Sequence, residues 1–379
     1  MKKIIIKLSI LILLLLLFWG LLTIKDNPSA SEFFARYISS TYISFAAMIF
    51  GSIPFSVYEF ILISFGIFIV YYVIRFVILL CKKKIKLFFN TILNCSIFVF
   101  IFVNLYTSTA SISYGRQDVK IPQYNETVDQ SLVDNAFEYF LNDYNTISTH
   151  FEREEDGSIK NPYTFNELNQ ILKKEFEKLD PTYFPSYTPD VKQLTFSRIF
   201  SELHFTGIFW ALTGEANVNR DCHPVELPHV MAHEIAHSKG VFREDDANLV
   251  ALYITLTSEN EFLRYSAYYA GFSSLLNIYR LTDYDKYYHS YFRLNEDIRR
   301  EYVAVSKFWQ SHDLLAKIGE WYNNLFLILN GNENGTGDYV DKEESEDSGN
   351  KDEDDRPIYI ITEYSPYQKL FFQVYQDTI

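Results

Sequence analysis

The chain is short of the residues that fasten small domains covalently: its 379 residues include only three cysteines, Cys81, Cys95 and Cys222. The first two fall in or beside apolar runs, so Cys222 stands alone in the remainder. A disulfide framework and a cysteine-built zinc site are both excluded, and Cys222 is expected to be an ordinary packed residue. Positive charge is also scarce. Thirty-four Lys and Arg face 48 Asp and Glu, a net charge of -14, which would repel a phosphate backbone and sets nucleic acid aside as a partner. No period of about 20 to 50 residues repeats, which argues against a solenoid. What the chain has in abundance is aromatic and aliphatic mass: 29 Tyr, 33 Phe and 48% hydrophobic residues. Disorder is excluded for most of the length, and the length allows about two to three units at roughly 100 to 200 residues each.

The N-terminal apolar run, residues 4–24, lacks a small-residue cleavage site, since Leu21-Leu22-Thr23-Ile24-Lys25 follows a stretch too long for a signal peptide. A retained membrane span is expected there, and two more over 57–80 and 87–106, each long enough for a hydrocarbon core of roughly 30 Å. Lys2, Lys3 and Lys7 flank one end of the first span, and Arg75 with Lys82, Lys83, Lys84 and Lys86 joins the second to the third. The positive-inside rule puts both clusters in the cytoplasm and everything from about Thr109 onward on the outer face of a multi-pass cell-membrane protein. The apolar stretch 32–55 contains Arg36 and several hydroxyl residues, and reads as an amphipathic helix on the outer leaflet, in contact with membrane lipid. A four-span alternative would put the lysine cluster outside and make Gly51-Ser52-Ile53-Pro54 an implausibly tight turn.

Beyond this membrane domain (1–108) the pattern predicts a mainly α chain with a small sheet. Apolar residues recur at three- and four-residue spacing over 129–151 and 165–179, which predicts helices packed by one face. Gly207-Ile208-Phe209-Trp210-Ala211-Leu212 reads as a strand closed by Thr213-Gly214. Further helices are expected over 244–258, 261–279, 284–300 and 301–328. The stretch 330–356, dominated by Asn, Gly, Asp, Glu and Ser, reads as a disordered acidic insertion between the main domain (109–329) and a C-terminal segment (357–379) packing back on it. A calcium loop there is unsupported, because the regular ligand spacing is missing.

Chemistry concentrates at His233-Glu234-Ile235-Ala236-His237. Pro228 suits a first helical turn and Gly240 the left-handed position just past a helix end. Within the helix so bracketed, His233 and His237 project from one face and can grip a single ion. Glu234, about 100° round the helix from His233, can reach a water there without binding the metal itself. A catalytic zinc usually takes three protein ligands and keeps one position open. The acidic turn after Gly240 supplies candidates for the third: Glu244 is preferred and Asp245 competes with it. Asp246 and Asn248 are further candidates for that place or for orienting the histidines from outside. His150, His204, His223, His229, His289 and His312 are expected to be structural or surface residues. The segment 213–219 is either an extended edge that pairs with a peptide or a plain hairpin turn. For an oxyanion donor, Arg264, Tyr265, Tyr268 and Tyr269 all lie in the next helix, and Tyr265 is the choice carried forward.

His233-Glu234-Ile235-Ala236-His237 with Glu244-Asp245-Asp246-Ala247-Asn248 resembles the zincin metallopeptidases, and the Glu-x-x-Ala-Asn form is similar to the third-ligand helix of gluzincins. The resemblance implies zinc on His233, His237 and Glu244, with Glu234 as general base. Only six residues separate His237 from Glu244, a gap closer to the metzincin layout, although Arg243 replaces the ligand expected there. The chain also resembles a bacterial membrane family of unknown function with three N-terminal spans and an external HExxH domain. Ile53-Pro54-Phe55-Ser56, Thr213-Gly214-Glu215-Ala216-Asn217 and Arg264-Tyr265-Ser266 carry that likeness. The reading is therefore a membrane-anchored, mainly α protein with a zincin-like α+β domain, hydrolysing peptides or cell-envelope proteins with zinc-activated water. Its rivals are a catalytically silent zinc-binding membrane sensor or scaffold, and a transporter-associated protein with an accidental motif.

Overall fold

In the computed structural model, which describes residues 2–331, 335–336 and 341–379, the chain is mainly helical. It opens with α1 (Lys2–Lys25) and α2 (Pro28–Phe34), which runs through a wide π turn (Ala35–Ser39) into α3 (Ser40–Gly51). Then come α4 (Val57–Cys81) and α5 (Ile85–Thr109). Four helical stretches, Lys2–Lys25, Pro28–Gly51, Val57–Cys81 and Ile85–Thr109, are long and apolar enough to cross a membrane. α1 lies along α5, with the Lys7 ammonium donating to Asn90 (2.7 Å) and the Asn104 amide to the Leu14 carbonyl (3.1 Å).

The stretch expected as an amphipathic surface helix over 32–55 differs from that expectation in two ways. The helix covers 28–51 and docks on the rest of the protein: Ile43, Ala46 and Ala47 are buried, and the Tyr42 hydroxyl donates to the Leu212 carbonyl (2.8 Å). Gly214 has φ +66°, and any Cβ there would overlap the α3 backbone at Ile43 and Ala47. Secondly, the short connection after Gly51 does join two helices directly. Its last residue, Ser56, caps α4 by accepting from the Glu59 amide (3.4 Å), so tightness is no objection to that turn.

The remaining elements are α6 (Gln130–Ser148), α7 (Phe165–Phe176), β1 (Lys192–Gln193), α8 (Ser197–Glu202), β2 (Gly207–Trp210) and β3 (Glu215–Val218). They continue with α9 (Leu227–Ser238), α10 (Glu244–Leu256), α11 (Glu261–Thr282), α12 (Tyr284–Phe292), α13 (Glu296–Gln310) and α14 (Ala316–Leu329). Last come β4 (Glu344–Lys351), β5 (Pro357–Glu363) and α15 (Pro366–Thr378). The core gathers where α6, α9, α10, α11 and α15 meet, around Phe137, Tyr144, Ile235, Val250, Phe272 and Phe371. Its aromatic pairs, such as Phe137 with Phe272 (5.4 Å) and Phe140 with Phe371 (4.9 Å), pack tilted or edge-on.

One expectation fails in the acidic stretch. Residues 332–334 and 337–340 of the expected insertion lie outside the described residues, but Glu344–Lys351 is an ordered strand paired antiparallel with β5. Its residues bury little; order comes from the main-chain ladder that the apolar partner Pro357–Glu363 offers. Asp341, just before it, accepts from the Ser365 (2.6 Å) and Ser274 (2.8 Å) hydroxyls.

The first sheet has the order β1-β3-β2, with β1 parallel and β2 antiparallel to the central β3. Residues 215–218 all pair with β2, and Asn217 and Val218 pair with β1 on the other side as well, so β3 is the central strand and β1 and β2 are the outer ones, a correction to the edge expected over 213–219. Two buried glutamates fasten this sheet to α4. Glu215 accepts from the Val57 and Tyr58 amides (2.9 Å each), the Thr213 hydroxyl (2.7 Å) and the Lys192 ammonium (2.6 Å). In return Glu59, in the first turn of α4, accepts from the Thr195 and Phe196 amides (2.8 Å each).

Removing one partner of a buried ion pair costs about 3–5 kcal/mol. Glu215→Gln should therefore lower the thermal midpoint of the full chain in detergent, and adding Lys192→Met should recover part of the loss. A Glu215→Gln chain as stable as the unmodified one would show that this junction is not a fastening.

Candidate metal centre

β2 and β3 form a hairpin closed at Gly214, and the chain then loops into α9, which carries Pro228 in its first turn. α9 buries Met231, Ala232, Ile235 and Ala236 in the core, which turns His233 and His237 to the opposite, cleft side. The helix ends at Gly240, with φ +84°, and Arg243 in extended conformation starts α10. This short return brings Glu244 back over α9. Its Oε2 lies 3.1 Å from His233 Nε2 and 3.6 Å from His237 Nε2.

The outer nitrogen of each ring is already spoken for. His233 Nδ1 lies 2.8 Å from Asn248 Oδ1, and His237 Nδ1 lies 2.7 Å from the Val241 carbonyl. A carbonyl only accepts, so His237 carries its proton on Nδ1, and the amide oxygen of Asn248 asks the same of His233. Both Nε2 atoms thereby face Glu244, where a further proton or a cation would bind. One atom from each of the three residues fits within 4.8 Å of the others, a two-nitrogen, one-oxygen set suited to a divalent transition metal.

The competing acids are drawn away. Arg243 pairs with Asp246 (2.9 Å) and faces Asp245 at 3.6 Å, while Asp246 also accepts from the Val119 amide (3.4 Å). Asp245 is half exposed. Glu244 is thus the acid the structure brings to the histidines, and Asn248 the residue that orients His233.

Glu234 is buried beside them, and among the described residues its Oε2 has no hydrogen-bond partner. Burial pushes its carboxyl up to about 7, so it can hold or release a proton near neutrality. Gly207 of β2 lies against this carboxylate, and a Cβ there would overlap it. Burial would raise Glu244 as well, but His237 and His233 outweigh it and hold the carboxyl well below its usual range. For His237, burial acts to lower its pKa, and Glu244 more than reverses that, to about 9. Both shifts are two sides of one contact, in which a positive charge on the ring and the Glu244 carboxylate stabilise each other.

A cavity of about 490 Å³ runs from these residues outward, past Tyr269, Trp210, Tyr58, Tyr106 and Phe326. Tyr265 is not on its wall: its hydroxyl sits among Arg153 (3.0 Å) and Glu301 (3.3 Å) in the core. Arg264 and Tyr268 are both bound to Asp143. Of the four donors considered from sequence, only Tyr269 lines the cavity. The choice failed because Phe262, Tyr265, Tyr268, Tyr269, Phe272 and Tyr279 crowd one sector of about 120° on α11, so periodicity does not say which tyrosine looks into the cavity.

Sequence reasoning missed further cavity residues, His229, His204 and Glu226 among them. His229 was grouped with the structural histidines, yet it lies one helical turn before His233 and lines the cavity. That four-residue spacing was the available signal. Burial lowers it to about 3, so it stays neutral. Glu226, just before α9, accepts from the Trp309 indole (3.1 Å), and burial raises it to about 7.

A family described as "Protein of unknown function (DUF3810)" matches residues 34–341, a range that contains every cavity residue named above. No curated protein and no solved structure matches the chain.

The contact between Gly207 and Glu234 generates a test. Gly207→Ala forces a buried carboxylate or an edge strand to move, an overpacking cost of about 1–3 kcal/mol. In a Glu234→Ala background the same substitution should be close to neutral, because the obstructing group is gone. Urea unfolding of the four proteins measures the coupling, and strictly additive effects would contradict the contact.

Proposed function

The chain belongs to the DUF3810 family, and we propose that it is a membrane-anchored zinc metallopeptidase with a zincin-like outer domain. The observation that carries this reading is the convergence of His233 Nε2, His237 Nε2 and Glu244 Oε2 beside the buried, unpartnered Glu234 oxygen. Two imidazoles and one carboxylate with an open side match what a catalytic zinc takes from a protein. A bound zinc ion would supply a Lewis acid that polarises water and a peptide carbonyl.

The remaining steps belong to the protein's own groups. Glu234, with its pKa near 7, takes the proton of the attacking water and passes it to the leaving amide nitrogen. Asn248 and the Val241 carbonyl hold the two rings in one tautomer. The free edge of β2, whose Gly207 touches Glu234, would align an extended substrate by main-chain pairing. Tyr269 takes the place of Tyr265 as the aromatic donor on the cavity wall.

The lysines at 82–84 and at the N terminus favour three spans with the domain on the extracytoplasmic side. The helix over 28–51 lies against the domain at that surface. Its Arg36 donates to the Thr182 carbonyl and its Ser39 to the Ser108 carbonyl. Cell-envelope proteins and peptides are then the accessible substrates.

Zinc analysis and hydrolysis of a peptide library by the full chain test this reading together. Chelation should abolish hydrolysis and zinc restore it. His233→Ala, His237→Ala and Glu244→Ala should each lose the metal, while Asn248→Ala weakens metal affinity by about 10- to 100-fold. Glu234→Gln should keep the metal and lose about 10²- to 10⁴-fold in rate. Zinc retained without any hydrolysis would leave a silent zinc-binding sensor or scaffold instead, and no zinc at all would overturn the metal site.

A further inference from the structure

α14 is apolar on more of its surface than the protein covers. Leu314 (79% exposed), just before the helix, and Ile318, Trp321 (64%), Leu325, Ile328 and Leu329 (73%) all face outward. At 100° per residue they fall within about 120° of the circumference. A separate sector carrying Gly319, Phe326 and Leu327 packs inward, and a third carries Lys317, Glu320 and Asn324. A helix with an inward apolar face needs no second, exposed one for folding.

The place of this stripe in the fold says what covers it. At its C-terminal end Asn330 accepts from the Lys25 ammonium (2.8 Å) and the Tyr106 hydroxyl (2.9 Å). α14 is therefore tied to the ends of two candidate membrane helices, α1 and α5. At its N-terminal end it crosses α8, where Leu315 donates to the Glu202 carbonyl (3.2 Å) and Gly319 abuts the Leu203 carbonyl. Phe196 and Ile199, at the start of α8, are exposed as well, and the Phe196 amide is held by Glu59 of α4. The stripe thus lies on a helix tied at one end to α1 and α5 and at the other, through α8, to α4, helices whose outward faces are apolar.

The cavity extends to this same level. Tyr322 and Phe326 of α14 line it together with Tyr58, Tyr106 and Trp210. Trp210 stacks on Phe102 (6.2 Å), which lies about 10 Å down α5 from Thr109 at 1.5 Å per residue. The wall of the cavity therefore reaches below the end of the membrane helix.

From this placement we infer that α14 lies in the bilayer surface and that the metal cleft takes a membrane-anchored polypeptide, cut close to its anchor. The bilayer contact rests on the exposed stripe and its ties to the ends of α1 and α5 and does not need the peptidase reading; the substrate class rests on that reading.

Two measurements on the full chain in phosphatidylethanolamine and phosphatidylglycerol vesicles separate these layers. In the first, Trp321→Phe isolates by difference the emission of Trp321. Lipids brominated near the head group should quench that emission, and an aqueous quencher should not. Quenching by iodide alone would overturn the bilayer contact, as would shielding from both quenchers by a second copy of the chain. In the second, one peptide sequence is offered free, or fused to a transmembrane anchor with the scissile bond about 5 or about 30 residues away, a difference of up to roughly 85 Å in reach. The near bond should be cut at least about tenfold faster than the distant one, and the free peptide should be as slow as the distant bond. Equal rates would overturn the substrate class. If nothing is cut while Trp321 is quenched by lipid, the peptidase reading falls and the bilayer contact stands.

Discussion

The structure depends on an exchange of carboxylates between a membrane helix and a three-stranded sheet. Glu215 in the central strand closes the N terminus of α4, and Glu59 in α4 closes the loop after β1. Each glutamate is buried, and each satisfies main-chain amides that would otherwise be orphaned at a helix end or a strand end. Lys192, itself buried, neutralises Glu215 and donates to the Phe50 and Phe55 carbonyls on either side of the turn into α4. The sheet cannot shift relative to α4 without breaking several charge-assisted bonds together. Because β2 pairs with β3 and touches Glu234 through Gly207, the position of the catalytic candidate is set by the same junction.

The second constraint is the shortness of the return between His237 and Glu244. The connection leaves room for a left-handed Gly240 and little else, and Arg116 reaches across from beyond α5 to donate to the Gly240 carbonyl (2.6 Å) while holding Glu32 of α2 (2.8 Å). Arg243 then sorts three consecutive acids. By binding Asp246 and drawing Asp245 outward it leaves Glu244 as the carboxylate turned inward. An arginine at this place looks from sequence like a lost ligand of the metzincin layout; in the fold it holds Asp245 and Asp246 on the side away from the histidines.

How much of this was legible before the fold was known differs by kind of signal. The α9 helix, its bounding Pro228 and Gly240, the strand at Gly207 and the helices at 244 and 261 are local patterns, and the elements stand within a few residues of where periodicity put them. Tyr265 was misjudged because its fate depends on Arg153 and Glu301, more than thirty residues away in either direction. The strand Glu344–Lys351 is polar throughout and carries no strand signal of its own; only its apolar partner, Pro357–Glu363, makes it ordered. The docking of α3 was hidden for the same reason, since Gly214, the residue that admits it, lies far along the chain.

The acidic excess of the composition also changes meaning once its members are located. Several of the acids, Glu59, Glu215 and Glu301 among them, are buried acceptors rather than a surface field. At the margin of the core Asp134 binds the Tyr279 hydroxyl (2.8 Å) and Asp143 that of Tyr268 (2.7 Å), and inside it Glu301 binds Arg153 (2.6 Å). A core this rich in tyrosine needs such acceptors, because a buried phenol left unpaired costs about 1–3 kcal/mol. The field that a substrate meets is therefore set by few groups. Glu244, Glu234 and Glu226 line the cavity together with several aromatic rings. With two of these carboxyls held near 7 by burial, the cleft carries less negative charge near neutral pH than three free carboxylates would. Part of the acidic excess behind the net charge of -14 thus goes into holding the domain together rather than into the field a substrate meets.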